Sequence, residues 1–136
     1  MASSATDLTP ESVSISAADV IRARNDFYCN PIIFRFKNKD GILAPNSAAG
    51  NIEVLFDQAH GDLTSDMGFY DDAGCSTTPI LVGSPVSIAA TSQFRKIYVR
   101  SKANSIIEKK SIRFKVFDGV KTYFPKYSFE VVRRND

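Results

Sequence analysis

The sequence contains no tryptophan, one histidine and two cysteines. The scarcity of histidine and cysteine limits the catalytic and metal sites that the chain can form. A serine–histidine–aspartate site would have to use His60, the single histidine, and no nucleophile-elbow motif accompanies it. No phosphate-binding glycine loop, dinucleotide fingerprint or zinc-protease motif is present either. We therefore expect a protein that is not an enzyme, with no catalytic residue and no cofactor, and His60 in a solvated loop. A small hydrolase built around His60 is the alternative.

Metal ligands are equally scarce. Two cysteines and one histidine at irregular spacing do not make a zinc site. Oxygen ligands for calcium are present in an acidic cluster, but it lacks the spacing of an EF-hand; its members are Asp57, Asp62, Asp66, Asp71 and Asp72. Aspartates in loops commonly cap turns, so we expect no metal.

Long apolar runs are also missing. The longest runs are three residues, as in Ile32 to Phe34, which stops at Arg35, far short of the roughly 18 residues that cross a bilayer. The first seven residues contain neither the basic nor the apolar region of a secretory signal. We therefore expect synthesis in the cytoplasm and no membrane partner.

Cys29 and Cys75 are 46 residues apart and belong to no CxxC motif. They are a candidate disulfide or else two buried thiols. A cytoplasmic origin favours the thiols, whereas release into an oxidising medium permits the disulfide.

What the sequence does contain is alternation with a period of two, which is typical of half-buried strands. Short alternating segments follow one another from residue 12 to residue 131, with turn signals such as Gly41 and Gly119 between them. Residues 1–11 read as a flexible or extended N-terminal arm, and residues 12–136 as a single domain. Residues 17–24 read as a short helix or a loop. The pattern predicts an all-β fold, an antiparallel β-sandwich of seven to nine strands, with a small closed barrel as the alternative.

Several segments resemble a known family. Residues 68–80 read Gly-Phe-Tyr-Asp-Asp-Ala-Gly-Cys-Ser-Thr-Thr-Pro-Ile, and Val86 to Ala90 and Phe94 to Val99 follow in order. Together with the turn at residues 38–41, they resemble the bacterial Ig-like (invasin/BIG-type) β-sandwich module of phage structural proteins and bacterial surface proteins. The resemblance covers about residues 30–132, and it implies an Ig-like fold in which the tyrosines and the cysteine pack the sandwich and no residue performs chemistry.

Charge is distributed unevenly along the chain. The formal net charge is +2, but residues 1–92 carry −6 and residues 93–136 carry +8. In the basic half, Arg113 and Lys115 alternate with apolar residues, which places cations together on one face of a strand. We expect either a solvated outer face or a docking face for an acidic protein surface, formed by Arg113, Lys115, Lys121 and Lys126. Nucleic acid is the less favoured partner, because no RNA-binding motif is present and the acidic half would repel phosphate.

From the resemblance we expect a virion structural protein of a tailed bacteriophage, made in the host cytoplasm. It would dock onto capsid, neck or tail proteins in many copies as a decoration or cement subunit. The alternative is a bacterial cell-surface adhesin or a carbohydrate-binding Ig-like module.

Overall fold

The computed structural model describes residues 9–23, 29–55, 67–101 and 108–133. These ranges form ten strands and no helix, which confirms the all-β prediction but exceeds the expected seven to nine strands. The strands are β1 (Ser12–Ala17), β2 (Val20–Ala23), β3 (Asn30–Lys37), β4 (Gly50–Leu55), β5 (Met67–Tyr70), β6 (Val86–Ile88), β7 (Phe94–Ser101), β8 (Glu108–Phe117), β9 (Thr122–Tyr123) and β10 (Lys126–Arg133).

The strands form two sheets. The four-stranded sheet has the order β1-β3-β7-β5 and is antiparallel throughout. The six-stranded sheet has the order β2-β10-β8-β4-β6, with β9 paired to β8. It is mixed, because β2 runs parallel to β10. The prediction of a purely antiparallel fold is therefore wrong at this one strand pair.

Of residues 17–24, for which a helix or a loop was predicted, Ala17 ends β1, residues 18–19 form a short loop, and β2 (Val20–Ala23) follows in place of a helix. Val20 and Ile21 are β-branched and suit an extended backbone. Ile21 is fully buried, and the Glu130 amide donates to the Asp19 carbonyl oxygen at 2.8 Å, so β10 holds this segment in the sheet. The pairing partner lies more than 100 residues away, and local sequence could not reveal it.

The core lies between the two sheets. Phe34 of the four-stranded sheet meets Phe114 of the six-stranded sheet edge to face, with ring centroids 4.9 Å apart. Phe69 also meets Phe114 edge to face, at 6.3 Å. Each fully buried side chain of this size stabilises the fold by about 1.5–3 kcal/mol relative to its exposure. Alternate apolar residues along β3, β4, β7 and β8 are buried in this core: Ile32, Phe34, Phe36, Ile52, Val54, Ile97, Val99, Ile112, Phe114 and Val116.

The turn predicted at Asp118 and Gly119 joins β8 to β9. Asp118 is only 2% exposed, and its Oδ1 accepts hydrogen bonds from the amides of Val120 and Lys121 at 2.7 and 2.6 Å. Gly119 has a φ of +99° and lies so close to Ala48 that an added Cβ would come within 2.7 Å of it. Only glycine fits there without strain.

Residues 1–8 of the predicted arm lie outside the described residues. Residues 9–11 lead directly into β1 and lie against the body of the fold. The Glu11 amide donates to the Lys37 carbonyl oxygen at 2.8 Å, and Pro10 is buried.

Candidate docking surface

The four cations predicted to form a docking face fall into two environments. Arg113 on β8 and Lys126 on β10 occupy directly opposite positions in the antiparallel ladder, both on the outer side of the six-stranded sheet. The Arg113 guanidinium donates to the Phe124 carbonyl oxygen at 2.8 Å, and the Phe124 side chain is 51% exposed. We call these three residues the Arg113 patch.

The other two cations are already paired. The Lys115 ammonium lies 3.6 Å from a Glu53 carboxylate oxygen, because Glu53 is directly opposite it on β4. The Lys121 ammonium lies 3.3 Å from Glu11, in the turn between β8 and β9 rather than on the sheet. The structure therefore brings Arg113 and Lys126 together and does not place Lys121 beside them.

Within the described ranges, no carboxylate lies within ion-pair distance of Arg113 or Lys126. Like charges directly opposite each other in a sheet are destabilising. The Arg113 patch thus combines two cations with an exposed aromatic ring, and arginine and aromatic side chains are enriched at protein interfaces.

The two cysteines of the candidate disulfide are joined. Cys29, just before β3, and Cys75, in the loop after β5, form a disulfide with Cα atoms 5.7 Å apart. The Cys75 side chain is 1% exposed. The disulfide fastens the loop after β5 to the start of β3.

Asp72 organises the same loop. Its carboxylate accepts hydrogen bonds from the hydroxyl and amide of Thr77, at 2.6 and 3.2 Å. It also accepts from the hydroxyl and amide of Ser76, at 2.9 and 3.0 Å. These bonds, with the Thr77 hydroxyl first, hold the pKa of Asp72 well below its ordinary value of 3.8. The motif residues that carried the family resemblance therefore have a structural role here.

A buried carboxylate and a tyrosine form a second polar centre that the sequence did not single out. The Tyr123 hydroxyl lies 2.6 Å from Oδ2 of Asp118 and 3.1 Å from the Pro10 carbonyl oxygen. Burial, and then the adjacent Asp118 carboxylate, raise the pKa of Tyr123. A cavity of about 270 Å³ adjoins this centre, and its lining residues are Thr9, Pro10, Ser47, Asp118, Val120 and Lys121. Both Asp118 oxygens have partners from the chain itself, so the carboxylate is a structural anchor.

The residues considered for chemistry are not assembled into a site where the structure describes them. His60, Asp57, Asp62 and Asp66 lie outside the described residues. Asp71 forms an ion pair with Arg95 at 2.7 Å, and Asp72 is bound to its own loop. Among the described side chains, no group of three or more histidine, cysteine, aspartate and glutamate residues could hold a metal ion. The same ranges contain no helix that is long and apolar enough to span a membrane.

Sequence reasoning also missed the outer face of the four-stranded sheet. Phe94, Lys96 and Tyr98 alternate along β7 with the buried Ile97 and Val99. On the neighbouring strand β3, Arg35 stands directly opposite Phe94. These residues come from separate parts of the sequence, and only the strand pairing reveals that they share one face.

No protein-family model matches the chain, and no curated protein matches it. Among solved structures, the chain is similar to part of a β-glycosidase from Bacteroides vulgatus, with a TM-score of 0.52 and 18% identity. That alignment covers 90% of this chain and 14% of the glycosidase, so the chain spans about one seventh of that protein's length. The likeness concerns the fold alone.

Two further solved structures are similar at lower scores. The bacterial hydrophobin BslA has a TM-score of 0.44 and 11% identity, over 94% of this chain and 99% of that chain. A family 123 glycoside hydrolase from Clostridium perfringens has a TM-score of 0.42 and 11% identity, over 90% of this chain and 27% of that chain.

Proposed function

We propose that this protein is a non-catalytic, Ig-like structural module that docks onto an acidic protein surface through the Arg113 patch. The observation that carries the proposal is the direct opposition of Arg113 and Lys126 on the outer side of the six-stranded sheet. A carboxylate supplied by a partner would contact both cations and relieve their mutual repulsion. In the free protein Arg113 and Lys126 repel each other, and in the proposed complex the partner's carboxylate would offset that repulsion.

The exposed ring of Phe124 supports the same proposal. It is 51% exposed, and the Arg113 guanidinium donates to the Phe124 carbonyl oxygen, so the ring and the cation are neighbours on this surface. Aromatic and arginine side chains are the residues most enriched at interface hot spots. A docking partner would cover Phe124 and place its carboxylates against Arg113 and Lys126.

The strand order supports the Ig-like part of the proposal. In chain order β1, β3, β4, β5, β7, β8 and β10 take the places of strands A to G of a constant-type Ig domain. The order β1-β3-β7-β5 then corresponds to A-B-E-D, and β10-β8-β4 to G-F-C. Strands β2, β6 and β9 are additions at the edges and between F and G.

The biological setting that we propose is the virion of a tailed bacteriophage, with the chain as a capsid, neck or tail decoration subunit present in many copies. This rests on the resemblance of residues 68–80 and their neighbours to the Ig-like module of phage structural proteins. The disulfide between Cys29 and Cys75 is compatible with a particle released into an oxidising medium.

The disulfide equally favours a second setting, a bacterial cell-surface adhesin or carbohydrate-binding module, since such proteins also reside in an oxidising environment. The likeness to a segment of a β-glycosidase shows that such a fold occurs within a larger carbohydrate-active enzyme. Mass spectrometry of purified virions distinguishes the two settings: a stoichiometric amount of this chain in the particle supports the first, and its absence from particles contradicts it.

Docking itself is tested by titrating the full chain against purified particles or surface proteins from its source. Exchange of Arg113 or Lys126 for glutamine is expected to weaken binding, with the loss smaller at high salt because the contacts are electrostatic. Lys121→Gln is the matched control, since Lys121 is already paired with Glu11 away from the sheet. Equal losses for all three variants would contradict a role for the Arg113 patch.

A further inference from the structure

The four-stranded sheet carries charge of one sign. Its strands contain five cationic residues, Arg35, Lys37, Arg95, Lys96 and Arg100, and no aspartate or glutamate. The six-stranded sheet, by contrast, interleaves its cations with Glu53, Glu108 and Glu130. We propose that the outer face of the four-stranded sheet binds single-stranded nucleic acid. This surface is on the opposite sheet from the Arg113 patch, so the inference does not depend on the proposed docking function.

The strand register defines the surface. On β7, Ile97 and Val99 are buried in the core. The residues that alternate with them, Phe94, Lys96 and Tyr98, therefore point away from the core. On β3, Arg35 and Lys37 also point outward, because Phe34 and Phe36 are buried. We call these five residues the β3–β7 face.

The ladder sets the spacing within the β3–β7 face. Arg35 stands directly opposite Phe94, so a cation and an aromatic ring are neighbours across two strands. Along a strand, residues on the same face repeat about every 7 Å, at twice the rise per residue. Cations and rings therefore alternate along β7, and one ring, Phe94, has a cation directly across on β3.

Of the five side chains of the β3–β7 face, Phe94 is exposed and the other four are half-buried. Phe94 is 48% exposed, and the Lys96 ammonium lies 5.4 Å from the centre of its ring. Within the described part of the chain, no carboxylate pairs with Arg35, Lys37 or Lys96. The nearby Asp71 is engaged by Arg95, which points toward the other side of the sheet and also reaches the Ser87 carbonyl oxygen.

Single-stranded nucleic acid is the polyanion that uses both features of the face. Proteins that bind it without sequence preference combine cations that follow the phosphates with aromatic rings on which bases stack. An acidic protein surface would use the cations but has no bases to stack on Phe94 and Tyr98. Duplex DNA would also leave the rings unused, because its bases are already stacked.

The outer row of β1 completes the surface. Ser14 stands directly opposite Arg35, and Ser16 opposite Ile33, so the strand beside the cations contributes hydroxyls and no charge. Serine hydroxyls are common donors to phosphate oxygens. A nucleic acid strand crossing from β7 to β1 along the row of Phe94, Arg35 and Ser14 would meet a ring, then a cation, then a hydroxyl.

The experiment measures the fluorescence anisotropy of a labelled oligothymidylate titrated with the full chain over a range of salt concentrations. We expect binding that weakens as salt rises. Arg35→Gln and Lys96→Gln each remove one phosphate contact, so each is expected to reduce the slope of log affinity against log salt by about 0.7. Phe94→Ala removes a stacking platform and is expected to weaken binding about tenfold with the slope unchanged.

Matched controls lie on the other sheet. Lys115→Gln changes the net charge of the chain as Arg35→Gln does, and Phe117→Ala removes a half-buried ring from the outer side of β8, and neither is expected to change binding. The proposal is overturned if oligothymidylate does not bind, if the control variants weaken binding as much as the β3–β7 variants, or if polyglutamate or a DNA duplex binds as tightly. Circular dichroism of each variant verifies that a loss of binding is not a loss of fold.

Discussion

The ring of Phe34 lies edge to face against the ring of Phe114, with 4.9 Å between centroids, and the contact joins the two sheets at the centre of the core. Phe114 is also touched by Phe69, so it packs against two rings of the opposite sheet. The contact links strands separated by 80 positions in sequence. It therefore reports on the whole two-sheet arrangement rather than on a single hairpin.

Phe114→Ala is expected to lower the free energy of unfolding by about 3–5 kcal/mol, because it removes buried area and leaves a cavity. Chemical denaturation measures the change. Phe124→Ala, at a ring that is 51% exposed, is the matched control and is expected to cost less than about 1 kcal/mol. In a double-mutant cycle, Phe34→Leu and Phe114→Leu should couple by about 0.5–1.5 kcal/mol, and additivity would show that the ring contact itself contributes nothing.

Reduction of the disulfide between Cys29 and Cys75 is expected to destabilise the protein by about 4 kcal/mol in the chain-entropy model, given a separation of 46 residues. Calorimetry with and without a reducing agent measures the change in melting temperature. The double variant Cys29→Ser and Cys75→Ser should melt at the same temperature as the reduced wild type and be indifferent to the reductant. A reductant effect that persists in this variant would point to a cause other than the disulfide.

The opposition of Arg113 and Lys126 predicts a substitution that stabilises the protein. Lys126→Glu replaces a repulsive pair with an attractive one, and it is expected to raise the free energy of unfolding by about 0.2–1 kcal/mol. Lys126→Gln should give a smaller gain. Both gains are expected to shrink at high salt, which screens exposed charges. If neither variant is more stable than the wild type at low salt, the two cations do not repel each other measurably.

The parts of the fold that local alternation encodes were predictable from the sequence. In β3, β7 and β8 alternate residues are apolar and buried, as the period of two predicts, although the outward rows also include the apolar or aromatic side chains of Ile33, Phe94 and Tyr98. Pairing between distant strands was not predictable, since nothing in residues 20–23 indicates a parallel partner at residues 130–133. The predicted number of strands and the prediction of purely antiparallel pairing were wrong for this reason.

The same limit applied to the candidate surfaces. Alternation placed Arg113 and Lys115 on one face, but only the register shows that Glu53 neutralises Lys115 and that Lys126 faces Arg113. Division of the chain at residue 92 suggested an acidic half that repels phosphate. The strands of both sheets instead carry an excess of cations, and those of the four-stranded sheet carry no carboxylate, because β1 and β3 from the first half pair with β7 from the second.

The lowered pKa of Asp72 predicts that the protein loses stability in acid. Because its pKa is lower in the folded protein than in the unfolded chain, the ionised carboxylate stabilises the fold above the ordinary aspartate pKa of 3.8. That stabilisation is lost as the pH falls through the lowered pKa of the folded state. Thermal melts over this acidic range should therefore show a shallower pH dependence for Asp72→Asn than for the wild type.

The largest cause of the lowered Asp72 pKa is the Thr77 hydroxyl, so Thr77→Val is expected to raise it toward the ordinary value. A carboxyl-carbon NMR titration measures the pKa directly. Thr78→Val is the matched control, at an exposed threonine next to it. Identical titration curves for Thr77→Val and the wild type would show that the loop hydrogen bonds do not form in solution.

Tyr123 joins the start of β1 to the turn after β8, through its hydroxyl contacts with Asp118 at 2.6 Å and the Pro10 carbonyl oxygen at 3.1 Å. Tyr123→Phe is expected to cost about 1–3 kcal/mol, because the buried Asp118 carboxylate loses a donor. The Glu11 amide, which donates to Lys37, should also exchange its hydrogen faster once the adjacent Pro10 contact is lost. Tyr98→Phe is the matched control, since the Tyr98 hydroxyl has no hydrogen-bond partner among the described residues, and it should leave both quantities unchanged. Equal effects of the two variants would contradict an anchoring role for Tyr123.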